Sequence, residues 1–484
     1  MSDDDLRAQL GRLVRQLLED REDDGREKVM TLLNNHLGEG ATDLPMLEED
    51  LQSWELPNLQ LALDEAITRP GVEARIVGLS AQARHYGLTL ADLIQGHEWH
   101  VTVGAPAYVN AAVGPGETLA CLATAVLLIS GPEGPLAAFV QHRHDHAGES
   151  LSLEVVSARE GASSTFVADL RRLMELHDVY RGKVLTVTAD PMRGTKLEFM
   201  ERPAVGTDDL ILPEGVLEAV HRNVVEVSAH REALVAAGRH LSRGVLLWGP
   251  PGTGKTHTVR YLTAIRADAT VIIVSGAALG SAGSFVTMAR RLQPAMLVLE
   301  DVDLVAQERT FGPFGVGSPV LFELMNQMDG LVGDADLAFV LTTNRADALE
   351  PALAARPGRI DLALEIPLPD AVARRRLLDL YSRGLDTEID SPDAIVERTE
   401  GVTASFVKEL LRAAALRATI AGRAKVTDDD VAAVLDELMS ERASLTRVLL
   451  GGEQPSGESD PHAWMGGATL RASVSGYSML VEPD

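Results

Sequence analysis

A glycine-rich loop in the middle of the chain constrains its fold more than any other feature. Residues 249–256 read GPPGTGKT, which fits the pattern G-x-x-x-x-G-K-[ST] at every defined position. Glycines at this spacing allow backbone N–H groups to turn inward and surround phosphate oxygens. Lys255 supplies a positive charge, and the hydroxyl of Thr256 is a ligand for Mg²⁺. The predicted phosphate-binding and adjoining residues are Gly249, Pro250, Pro251, Gly252, Thr253, Gly254, Lys255, Thr256 and His257.

The segments on either side of this loop indicate an α/β fold. The apolar run 245–248 predicts a buried strand leading into the loop, and residues 255–264 predict a helix leading out of it. Such a helix directs the positive end of its dipole at the phosphates. The alternative is a turn without function, and it does not explain a match in register between a strand and a helix.

A second predicted strand ends in acidic residues. The apolar run 296–299 is followed by Glu300 and Asp301. In parallel sheets, groups at the carboxyl ends of strands face the crevice in which ligands bind. One carboxylate can hold Mg²⁺ there, and the other can polarise a water molecule. The alternative is a solvated acidic turn, which the phosphate loop makes the weaker interpretation.

Polar residues follow the third predicted strand and a later turn. Residues 339–344 read FVLTTN, an apolar strand that ends in polar residues, and the amide of Asn344 can orient a water molecule or contact a phosphate there. Arg356 and Arg359 stand on an Arg-Pro-Gly-Arg turn, and two guanidinium groups so placed suit an anion clamp. The alternative for these arginines is simple solvation at the surface.

Together these motifs resemble the AAA group of the AAA+ ATPases over about residues 210–440. Further blocks in the order and spacing of that group are LMNQMDGL at 324–331, TNRAD at 343–347, LEPAL at 349–353 and ARPGRID at 355–361. The resemblance implies an α/β P-loop NTPase core with a helical lid, binding of ATP and Mg²⁺, and a homo-oligomeric ring that is usually hexameric. It also implies that Asn344 is the sensor-1 residue, and that Arg356 and Arg359 reach the ATP of a neighbouring subunit.

Residues 371–440 resemble the helical lid of this group. Thr427 is the predicted N-cap of its last helix. The resemblance places a sensor-2 turn at 401–406, so Ala404 and Ser405 are expected to contact the nucleotide. Tyr381 stands where the group often has a histidine, and it is either a ribose or adenine contact or a tyrosine of the lid core.

The acidic pair departs from the usual pattern of the group, in which Asp precedes Glu. By position, the resemblance gives the metal-binding role to Glu300 and the catalytic role to Asp301, whose side chain is one methylene shorter than the usual base. A branch that resembles the mitochondrial Rieske-protein translocase has the same reversal.

The segment in which related unfoldases carry an aromatic pore loop is the second departure. Residues 277–284 form a short segment of small side chains without an aromatic residue. The translocase-like branch is also shortened there. Phe311 and Phe314 either line a pore instead or pack beneath a loop.

The overall composition limits the possible partners. The formal net charge of −27 disfavours both a nucleic-acid track and an anionic membrane surface. The apolar run 119–129 is too short to span a bilayer, and the acidic start of the chain is unlike a signal peptide. We therefore expect a soluble cytoplasmic protein that binds neither nucleic acid nor membrane.

Two regions are predicted before the ATPase part, a helical region at 1–97 and an α+β adaptor domain at 98–203. The large ATPase subdomain at 210–370 and the lid follow, and a tail at 441–484 comes last. The fold expected is thus an α/β P-loop NTPase preceded by a helical segment and an α+β domain. The histidines of 142–146 either bind a metal ion or lie exposed at a hairpin tip.

The leading hypothesis is a ring ATPase that remodels a protein bound through residues 1–203. The alternative is a nucleotide-gated scaffold with slow turnover.

Overall fold

The computed structural model describes most of the chain, which divides into two compact units, 1–369 and 370–484. The described residues are 27–38, 40–80, 87–96, 101–145, 148–190, 194–304, 335–345 and 360–440. Among them, no helix has the length and apolar character needed to cross a bilayer.

A seven-stranded antiparallel sheet forms the first part of unit one. Its strands are β1 (Met46–Leu51), β2 (Glu73–Leu79), β3 (Val103–Gly104), β4 (Ala107–Gly114), β5 (Glu117–Gly131), β6 (Gly134–Asp145) and β7 (Gly148–Ser157). They follow the order β1-β7-β6-β5-β2-β3, and β4 pairs with the first half of β5. The helices are α1 (Val29–Leu37), α2 (Leu56–Ile67), α3 (Leu90–Gln95) and α4 (Ala162–Leu176).

Helices cover both faces of this sheet because β5 is apolar on both sides. Leu127 lies in a core with α2 and α4, whereas its neighbour Leu128 lies in a core with α1 and α3. Successive side chains of a strand point to opposite faces, so the two cores are on opposite sides of the sheet. The N-terminal domain is therefore a three-layer α/β/α structure.

The prediction of a helical region at 1–97 is wrong for two segments. Residues of β1 pair with β7, and residues of β2 pair with β5, so both are strands of the sheet. The acidic sequence MLEEDL of β1 carries little strand signal of its own. Pairing with a long neighbouring strand outweighs such weak local preference.

A second seven-stranded sheet follows, in the order β14-β10-β13-β12-β11-β8-β9. Its strands are β8 (Val184–Asp190), β9 (Gly194–Met200), β10 (Arg243–Trp248), β11 (Thr270–Ser275), β12 (Ala295–Glu300), β13 (Leu337–Thr343) and β14 (Leu362–Glu365). All neighbours are parallel except β8 and β9. Its helices are α5 (Val216–His221), a π-helical turn (Arg222–Glu226), α6 (Val227–Ala229), α7 (Arg231–Ala236), α8 (Lys255–Ile265) and α9 (Ala282–Arg291).

Strands β8 and β9 were expected in the N-terminal α+β domain, but they extend the second sheet instead. Strand β8 pairs in parallel with β11, and β9 pairs with β8. Arg202 follows directly and donates hydrogen bonds to four carbonyl oxygens, those of Gly182, Thr263, Arg266 and Ala269. Two of these lie at the C-terminal end of α8, where a positive charge is favourable. The connection that continues at residues 203–207 is therefore preceded by a firmly held residue.

A buried charged network holds the edge of the second sheet at which β10 and β13 begin. The Arg243 guanidinium is 5% exposed and donates to Asp336 at 2.6 Å. It also donates to the carbonyls of Asn223 and Val224 in the π-helical turn, at 2.9 Å each. Arg266 donates to the same Val224 carbonyl at 2.7 Å. Two arginines thus satisfy backbone groups that the irregular turn exposes to the interior.

Unit two is helical, as predicted for the lid. It contains α10 (Ala371–Tyr381), α11 (Pro392–Arg398), α12 (Ala404–Ile420), α13 (Asp428–Met439) and the short strands β15 (Thr387–Glu388) and β16 (Val426–Thr427). Thr427 is the N-cap residue of α13, and its N–H and hydroxyl both donate to Asp430. Two hydrogen bonds from Arg423 hold the pKa of Asp430 below its usual range.

Removing the buried carboxylate of Asp336 should destabilise unit one strongly. The Asp336→Asn variant leaves the Arg243 charge buried without its counter-ion, which costs about 3–5 kcal/mol. The free energy of unfolding from urea titration measures the effect. Glu133→Ala is the matched control, because the Glu133–Arg159 pair is 59% and 57% exposed; surface pairs contribute only about 0–1 kcal/mol. Equal losses in the two variants would contradict the importance of the buried pair.

Candidate active site

The phosphate loop joins the end of β10 to the start of α8, as the sequence predicts. Three of its glycines have positive φ angles, 145° at Gly249, 77° at Gly252 and 118° at Gly254. A Cβ atom on Gly249 would lie 2.2 Å from the carbonyl oxygen of Ile366. Glycine is therefore required at position 249 both by the backbone angle and by the close approach of the neighbouring chain.

Lys255 lies beneath this loop with 5% of its surface exposed. Its ammonium group donates to the carbonyl oxygens of Gly249 and Pro250, at 2.7 Å each. Burial lowers the pKa of Lys255, and the nearby charges of Asp301 and Asp303 oppose that effect. The cation is thus held within the loop and faces the acidic strand end.

Glu300 is the last residue of β12 and lies next to Thr256. Burial raises the pKa of Glu300, while a hydrogen bond with Thr256 acts in the opposite direction. Its Oε1 atom is buried and has no hydrogen-bond partner among the described residues. A carboxylate oxygen beside a hydroxyl is a hard-oxygen donor set that suits Mg²⁺. The residues predicted to hold the metal therefore fit it.

Asp301 has an uncommon backbone conformation, with a φ angle of 52°. Non-glycine residues with positive φ are rare and cluster at functional sites. Its N–H donates to Thr342 Oγ1 at 3.0 Å, and Asn344 Nδ2 donates to its Oδ1 at 3.2 Å. Burial raises the pKa of Asp301, and the negative charge of Asp303 adds to the effect. The structure thus brings the predicted catalytic carboxylate and the predicted sensor residue into contact.

Asp303 is a residue of the site for which sequence reasoning gave no role. It is 4% exposed, and its Oδ1 accepts hydrogen bonds from Thr343 Oγ1 at 2.9 Å and from the Asn344 N–H at 3.2 Å. The carboxylate thereby joins the ends of β12 and β13. The available signal was a third acidic residue in the run Glu-Asp-Val-Asp.

Other predicted residues lie elsewhere or are not described. The His257 ring contacts the carbonyl of Asp209 at 3.0 Å. Ala404 and Ser405 begin α12 in unit two, after the N-cap Thr403. Tyr381 is partly buried in the same unit, with Lys408 Nζ 6.0 Å from its ring centroid. Their contacts with nucleotide stay predictions. Arg356, Arg359, Phe311, Phe314 and the blocks at 324–331 and 349–353 lie outside the described residues.

The shortened pore-loop segment is a compact turn. Residues Gly276–Ser281 form a 3₁₀-helix that leads into α9. Leu279 is 3% exposed and belongs to the core of the sheet. The turn therefore packs inward.

Within the described ranges, no cluster of three side chains suited to a metal ion occurs, and the side chains of His144 and His146 fall outside them.

Comparisons with known proteins agree with this geometry. The family described as "ATPase family associated with various cellular activities (AAA)" matches residues 245–368. The 26S proteasome regulatory subunit 8 homologs of Saccharomyces cerevisiae and Schizosaccharomyces pombe are each 32% identical, over 54% and 55% of this chain and 66% and 70% of their own lengths. The proteasome-activating nucleotidase of Methanocaldococcus jannaschii is 31% identical over 52% of this chain and 61% of its own length. The chain thus spans roughly two thirds of these relatives, through about half of its own length.

Proposed function

Because the chain belongs to the AAA family of ATPases, we propose that it hydrolyses ATP in a homo-hexameric ring and uses the energy to remodel a protein substrate or complex. The observation that carries this proposal is the buried Oε1 of Glu300 beside Thr256, which has no partner among the described residues, with Asp301 held by Asn344 next to it. A binding-only module has no need for a second carboxylate positioned by an amide. A 26S proteasome regulatory subunit 8 homolog and a proteasome-activating nucleotidase among the relatives also support the remodelling role.

The proposed chemistry assigns a separate task to each residue. Thr256 and Glu300 would hold Mg²⁺, which supplies charge neutralisation at the phosphate oxygens when bound. The ammonium of Lys255 and the N–H groups of the loop bind the β- and γ-phosphates of ATP. Asp301 accepts a proton from the attacking water while the water oxygen forms a bond to the γ-phosphorus. The bond from the γ-phosphorus to its bridging oxygen breaks, and ADP leaves with the electron pair.

A second function is favoured by two features of the chain. The inward-packed turn at Gly276–Ser281 has no aromatic side chain with which to hold an extended polypeptide. Together with the short side chain of Asp301, it suits a nucleotide-gated scaffold with slow turnover, resembling the Rieske-protein translocase branch. Steady-state ATP hydrolysis with and without a cell extract distinguishes the two. Stimulated turnover supports the remodelling ATPase, whereas slow turnover that no extract changes supports the scaffold.

The proposed surroundings follow from the charge and the domain arrangement. We place the protein in the cytoplasm, where its N-terminal residues 1–203 would bind a protein substrate or adaptor. The net charge of −27 argues against nucleic acid and anionic membrane as partners. Capture with an Asp301→Asn variant that retains ATP, followed by mass spectrometry, would identify the substrate.

The two members of the acidic pair should respond differently to loss of charge. Asp301→Asn should keep ATP bound but slow hydrolysis by ~10²–10⁴-fold, because it removes the base. Glu300→Gln should in addition weaken Mg²⁺-dependent binding of ATP. Nucleotide affinity and turnover are measured for both variants, with Lys255→Ala as the control that loses binding and hydrolysis together. The opposite pattern would reverse the two assigned roles.

Asp303 should act by positioning Asn344. Asp303→Ala removes the acceptor for the Asn344 N–H and should lower kcat by about 10²-fold, since small displacements of catalytic groups have effects of this size. Asp303→Asn keeps one acceptor oxygen and should recover part of that loss. The KM for ATP should change little in either variant. A large rise in KM with kcat preserved would show that Asp303 serves nucleotide binding instead.

A mixing experiment tests whether the arginines act across subunits. Arg356→Ala or Arg359→Ala should abolish turnover while each subunit still binds ATP, because such arginines contribute ~10³–10⁵-fold in related phosphoryl transfer. Mixed rings of Arg359→Ala and Lys255→Ala subunits should regain some activity, since one supplies bound ATP and the other supplies the arginine. No recovery in demonstrably mixed rings would rule against action in trans. A fully active dilute monomer would exclude the ring mechanism.

A further inference from the structure

A cluster of charged and aromatic residues joins the N-terminal domain to the ATPase sheet. At its centre is Arg291, the last residue of α9. Its guanidinium donates to Glu55 at 2.5 Å and to Asp178 at 3.0 Å, and it lies 4.9 Å from the centre of the Trp54 ring. Trp54 and Glu55 precede α2, and Asp178 follows α4. One arginine of the ATPase part thus contacts two segments of the N-terminal domain.

Aromatic packing extends this cluster to the edge of the second sheet. The Tyr180 hydroxyl donates to the carbonyl of Trp54 at 2.5 Å, and the two rings meet edge to face at 5.7 Å. The Tyr180 ring also stacks on Phe199 of β9, with centroids 5.3 Å apart. The contact between the two parts is therefore apolar as well as charged.

The cluster connects directly to the strand that carries the catalytic pair. Arg181 donates to the carbonyls of Arg291 and Gln293, in the turn before β12. The Gln293 side chain accepts a hydrogen bond from the N–H of Asp336, just before β13. Strand β12 then ends at Glu300. Arg291 is thus connected through hydrogen bonds to the start of both strands whose ends form the site.

Two buried polar groups in this cluster lack partners within the part of the chain that the structure describes. They are Nε of Arg291 and Nδ2 of Asn58. The other end of the Asn58 amide accepts the Val179 N–H at 3.0 Å, so that side chain is firmly placed. Buried polar groups are nearly always hydrogen-bonded in native proteins. Both donors therefore retain the capacity for a further hydrogen bond, and both lie at the contact between the N-terminal domain and the ATPase sheet.

We propose that Arg291 is a positioning residue that couples the N-terminal domain to the ATP site. Its contacts with Trp54, Glu55 and Asp178 set the position of β12, and with it the position of Glu300 and Asp301. The inference rests on the proposed ATPase function. Because coupling between two sites is reciprocal, nucleotide binding must also change the cluster around Arg291.

Hydrogen exchange with mass spectrometry on the full chain tests this coupling. The probe is the non-hydrolysable ATP analogue AMP-PNP with Mg²⁺. Binding should slow exchange at residues 249–258, which reports occupancy of the phosphate loop. Exchange at 52–58 and 178–181 should change by about 2- to 30-fold, the range expected for coupling through packed residues.

The outcomes separate the two levels of inference. No protection at 249–258 would refute nucleotide binding and with it the proposed function. Protection at 249–258 with unchanged exchange at 52–58 and 178–181 would overturn the coupling alone. In Arg291→Ala, protection at 249–258 should remain while the change at 178–181 disappears.

Kinetics supply a second test with a matched control. Arg291→Ala should lower kcat by about 2- to 30-fold and leave the KM for ATP within about threefold. Arg291→Lys keeps the charge but not the fork between two carboxylates, so it should fall between wild type and Arg291→Ala. Arg290→Lys, the same change on the exposed neighbouring residue, should match wild type. Equal kcat values in all four proteins would overturn the proposal, and the wild-type exchange experiment still decides it if Arg291→Ala does not fold.

Discussion

Parallel pairing between β10, β13 and β12 is the constraint on which the active site depends. Strand β13 lies between the other two, with Leu341 opposite Leu246 on one side and opposite Leu299 on the other. Parallel strands end at the same edge of a sheet, so this register gathers the phosphate loop, Glu300 and Asn344 there. The strands are apolar and buried on both faces, which specifies the sheet but supplies no chemistry. The chemistry comes from the polar residues placed where each strand stops.

The two edges of this sheet differ in how completely their polar groups are paired. At the edge where β10 and β13 begin, Arg243 donates to Asp336 and to two carbonyls of a π-helical turn. At the edge that carries the proposed catalytic residues, Glu300 has a buried oxygen without a partner among the described residues, and Asp301 has a positive φ angle. Unfavourable local features of this kind persist only where the surrounding structure holds them. The well-paired edge provides that support, because it anchors the same strands at their other end.

Local motifs predicted the site far better than they predicted the sheets. The phosphate-loop motif consists of consecutive residues, and the position of Asn344 was predicted from the end of a single strand. By contrast, membership of β8 in the second sheet depends on its pairing with β11, a long-range contact that local periodicity does not encode. The contribution of Asp303 also escaped prediction, because its hydrogen bonds to Thr343 and Asn344 join segments that are distant in sequence.

The attachment of the N-terminal domain bears on how ATP turnover can be controlled by a partner. A flexible linker at 203–207 would let the domain tether a partner without sensing the nucleotide. Instead, β9 pairs within the ATPase sheet, and Arg202 binds carbonyls at the end of the helix that begins with Lys255. The turn before β12 is held from the same domain by Arg181. Both elements that supply the proposed catalytic residues therefore contact the N-terminal half of the chain at the ends remote from the site. A partner bound to that half can favour one arrangement of these contacts by its differential affinity, which is the physical requirement for control of turnover.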